Sequence, residues 1–407
     1  MRPFQVYLDS SDFSVLSDSS KRTQEIIALE SQLITWRNAG LIEIRFAYPH
    51  LIEAAPISPQ HFEAARCRAQ KIAELCQGKA LAAQDKIFAA EIKILIGELV
   101  KPGYVFMDDG DWLPDLSDNL TDSNELFDHA KQIQKTVAEM GLNRADTRKA
   151  LKQFITADGK LRPLGKKLLN QSIPETVAAI CEKYPLDEEA VLKFTHNYLT
   201  VTRHGSAYDV LFSSFRNLPN FIEWFARHYD KVNPTVTWLR ESGDATRRSL
   251  LESRQTVESI FSTQIELGIS NDTISAIAKK NIAAIINGLP KTLLPRLAEE
   301  CGHFELPTME LRDLPEKAPS LFTAISVMGG IARKTLQPLV NERLPKISDM
   351  GDVIHCLYLP HVDFFRTDRF AASVIQEIKL PFSTTIVENL TQLPEEISRR
   401  LAEKSAS

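Results

Sequence analysis

Hydrophobic and polar positions follow two rhythms along this chain. Residues 4–8 form a short apolar run closed by Asp9, which predicts a strand. After a polar loop, Ser19 and Ser20 offer a cap for a helix over about residues 21–38 that Gly40 terminates. Residues 41–47 carry β-branched and aromatic side chains and lead through Tyr48-Pro49 into a short helix over 50–55. The opening of the chain is therefore expected to fold as a β-α-β unit. Ser58-Pro59 supplies a cap and a first helical position for a helix over 60–77, and another is expected from about 84 to 100.

Between 108 and 124 the sequence DDGDWLPDLSDNLTDSN is dense in acids and turn formers, so a boundary or solvated loop is expected there. It is not an EF-hand loop, because the acidic spacing, the central Gly and the closing Glu are not met together. From 125 to about 343 nearly every segment has helical spacing. The punctuators are Asp158-Gly159, Pro219, Pro234, Gly268, Gly288 and Pro307, and no repeat period emerges. The alternation returns at the end, with a helix over 352–359, a short strand over 361–366, a helix over 369–378 and an extended segment over 380–387. Such a pattern predicts one α/β domain, divided into 1–100 and 326–407 by an all-α insertion at 101–325. Parallel strands need crossover connections in any case, and lengthening one costs little.

A chain of 407 residues that is 43% hydrophobic and 25% charged is long enough for two or three cores. No apolar run reaches the roughly 18–20 residues that span a bilayer. The start, MRPFQVYLDSSD, lacks the basic and apolar sections of a signal peptide, so the expected setting is cytoplasmic with no membrane partner. Five scattered cysteines without a CxxC pair argue against a disulfide framework or a structural zinc. A net charge of −5 gives no overall basic field, so a nucleic acid would have to meet a local basic patch. The absence of GxxxxGK[ST], GxGxxG after a strand, GxSxG and HExxH removes the commonest nucleotide, dehydrogenase, esterase and zinc-protease readings.

Functional groups gather at the carboxyl ends of strands in an open parallel sheet, and here those positions are acidic. Asp9 follows the first strand, Glu53 lies a helical turn beyond the second, Asp368 follows the 361–366 strand, and Asp352 opens the helix before it. Four clustered carboxylates repel one another, and a divalent cation relieves that repulsion. Hard cations such as Mg²⁺ or Mn²⁺ suit carboxylate and water ligands, and their chemistry suits phosphodiester hydrolysis. The carboxylates are accordingly expected to converge on one or two shared ions.

The blocks VYLDSSDFSVLSD, PHLIEAA and SDMGDVIHCLYLPHVDFFRTDRFAASVIQEI resemble the PIN-domain nuclease family over about residues 1–60 and 345–390. The resemblance implies a PIN-like three-layer α/β domain with a central, mostly parallel sheet. It also implies a catalytic, metal-holding set of Asp9, Glu53, Asp352 and Asp368, with Thr367 preceding the last acid. Asp349 competes with Asp352 for the third place. Asp12 and Asp363 are auxiliary acids, although an acid after a strand is commonly a cap or turn former. Lys346, Arg366 and Arg369 are candidate grips on nucleic-acid phosphates, with solvated surface charge as the plain alternative. His355 and His361 flank the acidic block, and packed core histidines are the commoner outcome in such places. The aromatics around Phe221–Phe225 are read as core rather than base-stacking platforms.

The expected activity is that of a metal-dependent endoribonuclease whose helical insertion selects RNA or regulates access. A DNA nuclease of the same chemistry and a non-catalytic scaffold whose helices bind a protein are the alternatives. The resemblance also implies toxin–antitoxin or antiviral-defence settings, with an inhibitory or activating protein partner.

Overall fold

The computed structural model describes residues 2–108 except 57, residue 112, residues 144–154, scattered positions between 156 and 192, and residues 217–406 except 228, 304, 305, 307 and 337–342. The acid-rich segment 108–124 and the Asp158-Gly159 punctuator therefore fall almost wholly outside the described residues. Backbone contacts separate two compact units, one made of Met1–Pro114 with Ala226–Ser407, the other of Asp115–Phe225.

The first unit opens with β1 (Phe4–Tyr7), α1 (Ser10–Ser17), α2 (Gln24–Asn38), β2 (Ile42–Arg45), α3 (Tyr48–Ala54), α4 (Phe62–Cys76), β3 (Ala80–Leu81), α5 (Gln84–Leu95) and β4 (Phe106–Met107). In the second unit α6 (Arg144–Phe154) is helical, and in α7 (Leu218–Arg227) Ile222 and Phe225 are buried while Phe221 and Trp224 are half-buried, so only one of the three aromatics expected in a core is fully covered. The chain then returns to the first unit as α8 (Tyr229–Glu266), α9 (Asn271–Glu300), α10 (Pro319–Thr335), α11 (Ser348–Cys356), β5 (Phe364–Arg366), α12 (Arg369–Ile378), β6 (Thr385–Val387) and α13 (Leu393–Ala406).

The protein is mixed α/β. Four strands form a parallel sheet in the order β2-β1-β5-β6, so sequences from the two ends of the chain share one sheet. Phe4 pairs with Ile42, Tyr7 with Phe365 and Phe365 with Ile386. Central β1 is buried at every position, which is why it reads as an apolar run rather than an alternation. Tyr7 and Phe365 stack at 5.2 Å on the face covered by α5, α10, α11 and α12. Phe4 and Phe364 meet edge to face on the opposite side, where Lys404 of α13 lies over the Phe4 ring.

Several local expectations change. Residues 10–17, expected as loop, form α1, because Asp9 and Asp12 build a capping box: Ser11 N–H donates to Asp9 Oδ1 and Asp9 N–H to Asp12 Oδ2. The run SSDFSVLS has weak helical propensity, so only the caps could have announced it. Thr23, rather than Ser19 or Ser20, caps α2. The helix expected to reach 100 stops at Leu95, and Gly97 supplies the left-handed φ of +87° after it. Pro234 lies inside α8 and Gly288 inside α9 rather than between helices, and α9 also carries Pro290 and Pro295. There Ile92 and Leu95 of α5, Leu294 and Ala298 of α9, and Leu321 and Ile325 of α10 form one core, whose burial outweighs local propensity. That packing also explains why the compact units divide at 114 and 226 instead of at 100 and 325. Helix α13 adds an element beyond the last predicted segment, over 380–387.

The seat of α10 against α12 depends on Gly330, where a Cβ would lie 2.6 Å from Val374 Cγ1. A β-branched side chain on a helix has little freedom to move aside. Gly330→Ala is expected to destabilise the fold by about 1–3 kcal/mol in denaturant unfolding, and an unchanged midpoint would show that the helices separate freely.

Candidate acidic site

The carboxyl ends of paired strands position two of the four predicted acids. Asp9 leaves β1 two residues after Tyr7, and Asp368 leaves β5 three residues after Phe365, so adjacent paired strands deliver both. Each caps the helix that follows: Asp9 accepts from Ser11 N–H at 2.7 Å, and Asp368 from Ala371 N–H at 2.7 Å. Asp352 lies one turn into α11, where burial first, and then the nearby Asp368 and Asp9 carboxylates, push its carboxyl up to about 8. Glu53 projects from α3 and faces His355 across 3.3 Å.

His355 sits at the centre of this arrangement. It is buried, with Nδ1 2.6 Å from the Tyr7 hydroxyl, while Nε2 faces Glu53 and lies 3.5 Å from Ser10 Oγ. Burial by itself would depress the imidazole, but the carboxylates of Glu53, Asp9 and Asp352 outweigh it and hold its pKa above the usual value. Glu53 moves the other way: desolvation opposes ionisation, yet the adjacent His355 keeps the carboxyl well below its ordinary range. His50 completes the floor. It accepts the Ala47 N–H at Nδ1 (2.9 Å) and donates from Nε2 to the Leu8 carbonyl (2.8 Å), tying the end of β1 to the start of α3. Burial and then the neighbouring His355 lower its pKa to about 4, so it is neutral at pH 7.

Other predicted residues take supporting or remote places. Asp12 is buried and paired with Arg366 at 2.7 Å. Burial outweighs that pairing and raises its carboxyl to about 7. Arg366, expected to grip phosphate, is instead only 12% exposed and braces the ends of β1 and β5, with one nitrogen 3.9 Å from Asp9. Asp349 is removed from candidacy as an open ligand. Its carboxylate takes both terminal nitrogens of Arg343, at 2.9 and 2.6 Å, together with the Lys346 N–H at 3.0 Å, while that same Arg343 lies over Phe370. Asp363 lies at the opposite edge. It precedes the three-residue β5, while Asp368 follows it, and it holds Arg2 and the Gln5 N–H near the start of β1. Thr367 is buried and extends the β5–β6 ladder to the Val387 carbonyl. His361 is bonded to Ser320 Oγ at 2.8 Å, and burial lowers its pKa to about 4. Lys346 and Arg369 are exposed.

Sequence reading missed a second cation beside Glu53. Arg68 of α4 donates to the Glu53 carbonyl at 2.9 Å, and its pKa is lowered by burial, with Glu53 acting in the opposite sense. Its position on α4 carried no local signal, since only the packing of α3 on α4 brings it there.

The donor set is of the type that hard divalent cations select: carboxylates at one sheet edge, where burial and neighbouring like charge disfavour the ionised form of Asp352. Convergence is incomplete. Among the described residues no three carboxylate, histidine or cysteine side chains already stand close enough to hold one ion. The reason is local, because Glu53 is drawn to His355 while Asp9 and Asp368 point into their helix caps. Among the described residues no helix is long and apolar enough to cross a membrane. No protein-family model, curated protein or solved structure matches the chain.

Proposed function

We propose that this protein is a PIN-like, metal-dependent nuclease that hydrolyses RNA. One observation carries the reading. Asp9, Asp352 and Asp368 meet electrostatically at the carboxyl edge of β1 and β5, and Asp352 is pushed up to about 8 there. Carboxylates that disfavour one another's ionisation are relieved by a cation, and Mg²⁺ or Mn²⁺ is the cation that suits oxygen donors.

Asp9, Asp352 and Asp368, with Glu53, would hold the ion, which when bound lowers the pKa of water and neutralises charge building on a phosphoryl group. The chain's own residues set the rest. The Tyr7 hydroxyl holds His355 by a hydrogen bond and the His50 ring packs against it, His355 restrains Glu53, and Arg366 with Asp12 locks the strand ends that carry Asp9 and Asp368. Exposed Arg369 and Lys346 remain candidates for the phosphates of the bound strand. A non-catalytic scaffold is the competing reading, and the incomplete convergence of the carboxylates favours it.

Incubation of the full chain with single-stranded RNA, structured RNA and DNA separates these readings. Cleavage of single-stranded RNA that needs Mg²⁺ or Mn²⁺ and stops in EDTA is expected. The same ions should raise the melting temperature by mass action on the folded state. Cleavage that persists unchanged in EDTA, or no cleavage of any substrate, overturns the assignment, while preference for DNA corrects the substrate alone.

A further inference from the structure

A cavity of about 290 Å³ opens beside the acidic site between α3, α8 and α11, and Glu53 lies on its wall. The remaining walls are largely apolar, with Tyr48, Ile52, Met350 and Ile354 among them, and Gln84 at the start of α5 supplies a polar group. The side-chain oxygen of Gln84 is buried and has no hydrogen-bond partner. A buried amide left unpaired is costly, and native structures tolerate it mainly where a ligand or water completes it. The Tyr48 ring lies roughly parallel to that of Trp112, with centroids 6.4 Å apart, so one aromatic face already lines the cavity. On the α8 side the wall is Gly243, where a Cβ would come within 2.8 Å of the Ile347 carbonyl, so α8 approaches α11 as closely as backbone allows.

We infer that this cavity is a base-binding subsite, which takes one unstacked nucleobase of the RNA strand whose phosphodiester lies at the acidic cluster, with Gln84 reading the base edge. The inference rests on the nuclease reading, since the acids are what bring a strand to the rim at Glu53. The volume lies just below the roughly 300–1,000 Å³ of drug-sized ligand pockets, which suits one base and excludes a helix or an extended peptide. An apolar slot with a single amide is suited to a nucleobase, whose flat faces pack against aliphatic and aromatic groups while its edge offers paired donors and acceptors. Only an unpaired, unstacked base can enter such a slot, so single-stranded RNA is the substrate class that fits.

Gln84 is a specificity residue in this account, and its test is a preference ratio measured separately from turnover. The full chain is titrated in EDTA against short fluorescent oligo(A), oligo(C), oligo(G) and oligo(U), and binding is read by anisotropy. The wild type is expected to favour one base over the weakest by about tenfold or more. Gln84→Leu, which keeps bulk and removes the amide, should shrink that spread to within about threefold. Gln84→Glu, which keeps shape but removes the N–H donors, should change which base is preferred. Equal affinities in the wild type, or the wild-type order retained in both variants, overturn the proposal. Binding of none of the four also overturns it and leaves the cavity to an apolar side chain of a protein partner. Base-selective binding without metal-dependent cleavage would keep the subsite and remove the nuclease. Cleavage with a flat preference would do the reverse.

Discussion

Asp9→Asn and Asp368→Asn are each expected to lower metal-dependent RNA cleavage by about three orders of magnitude, because a catalytic ion contributes several kcal/mol to the barrier. The fold should survive both changes. Each acid caps a helix through one side-chain oxygen, and the Asn carbonyl oxygen can accept the same backbone N–H, from Ser11 or from Ala371. The lost charge is therefore the main difference between variant and wild type. Cleavage rates under saturating Mn²⁺, together with melting curves, check this. Two folded variants that cut at the wild-type rate would remove the acidic site from the mechanism.

Asp349 and Asp352 share one helix three residues apart, and opposite responses are expected from them. Asp349→Ala leaves the Arg343 guanidinium and the Lys346 N–H without their shared acceptor, so a loss of about 3–5 kcal/mol is expected in denaturant unfolding. Asp352→Asn should instead raise the melting temperature of the metal-free protein by about 2 °C or more near pH 8, and abolish cleavage. The sign follows from the direction of the shift. The carboxyl of Asp352 is raised from 3.8 to about 8 in the fold, so its contribution to stability is fully present below about pH 4 and is lost as the pH rises towards 8. The difference in melting temperature between wild type and Asp352→Asn should therefore widen in favour of the variant across that window. Taking the difference cancels Asp12, which changes in the same sense, whereas His355, whose pKa Asp352 helps to raise, titrates together with it. If Asp349→Ala is neutral and Asp352→Asn destabilises at pH 8, the two residues have exchanged roles.

The acids at the site were legible because they sit next to local signals. Asp9 ends an apolar run, Asp368 precedes an amphipathic helix, and both positions follow from strand ends and helix starts that the chain spells out within a few residues. The same locality made the helix Arg369–Ile378 exact and foretold a sheet shared by the two ends of the chain, since neither end has enough strands to cover its own apolar faces.

What the tertiary structure alone decided is which charges remain free. Asp349 and Asp352 look alike in sequence, but Arg343 reaches only the first. Asp363 and Asp368 flank one three-residue strand, and the direction of that strand sends them to opposite edges of the sheet. Arg366 reads as a surface cation, yet the packing of α1 turns it inward onto Asp12. Arg68 and Gln84 gain their roles from helices that touch Glu53 or the cavity beside it only after folding. The physical reason is the same in each case. Propensity, caps and hydrophobic period act over one or two helical turns, whereas desolvation and ion pairing depend on which distant groups the packed core brings within a few ångströms.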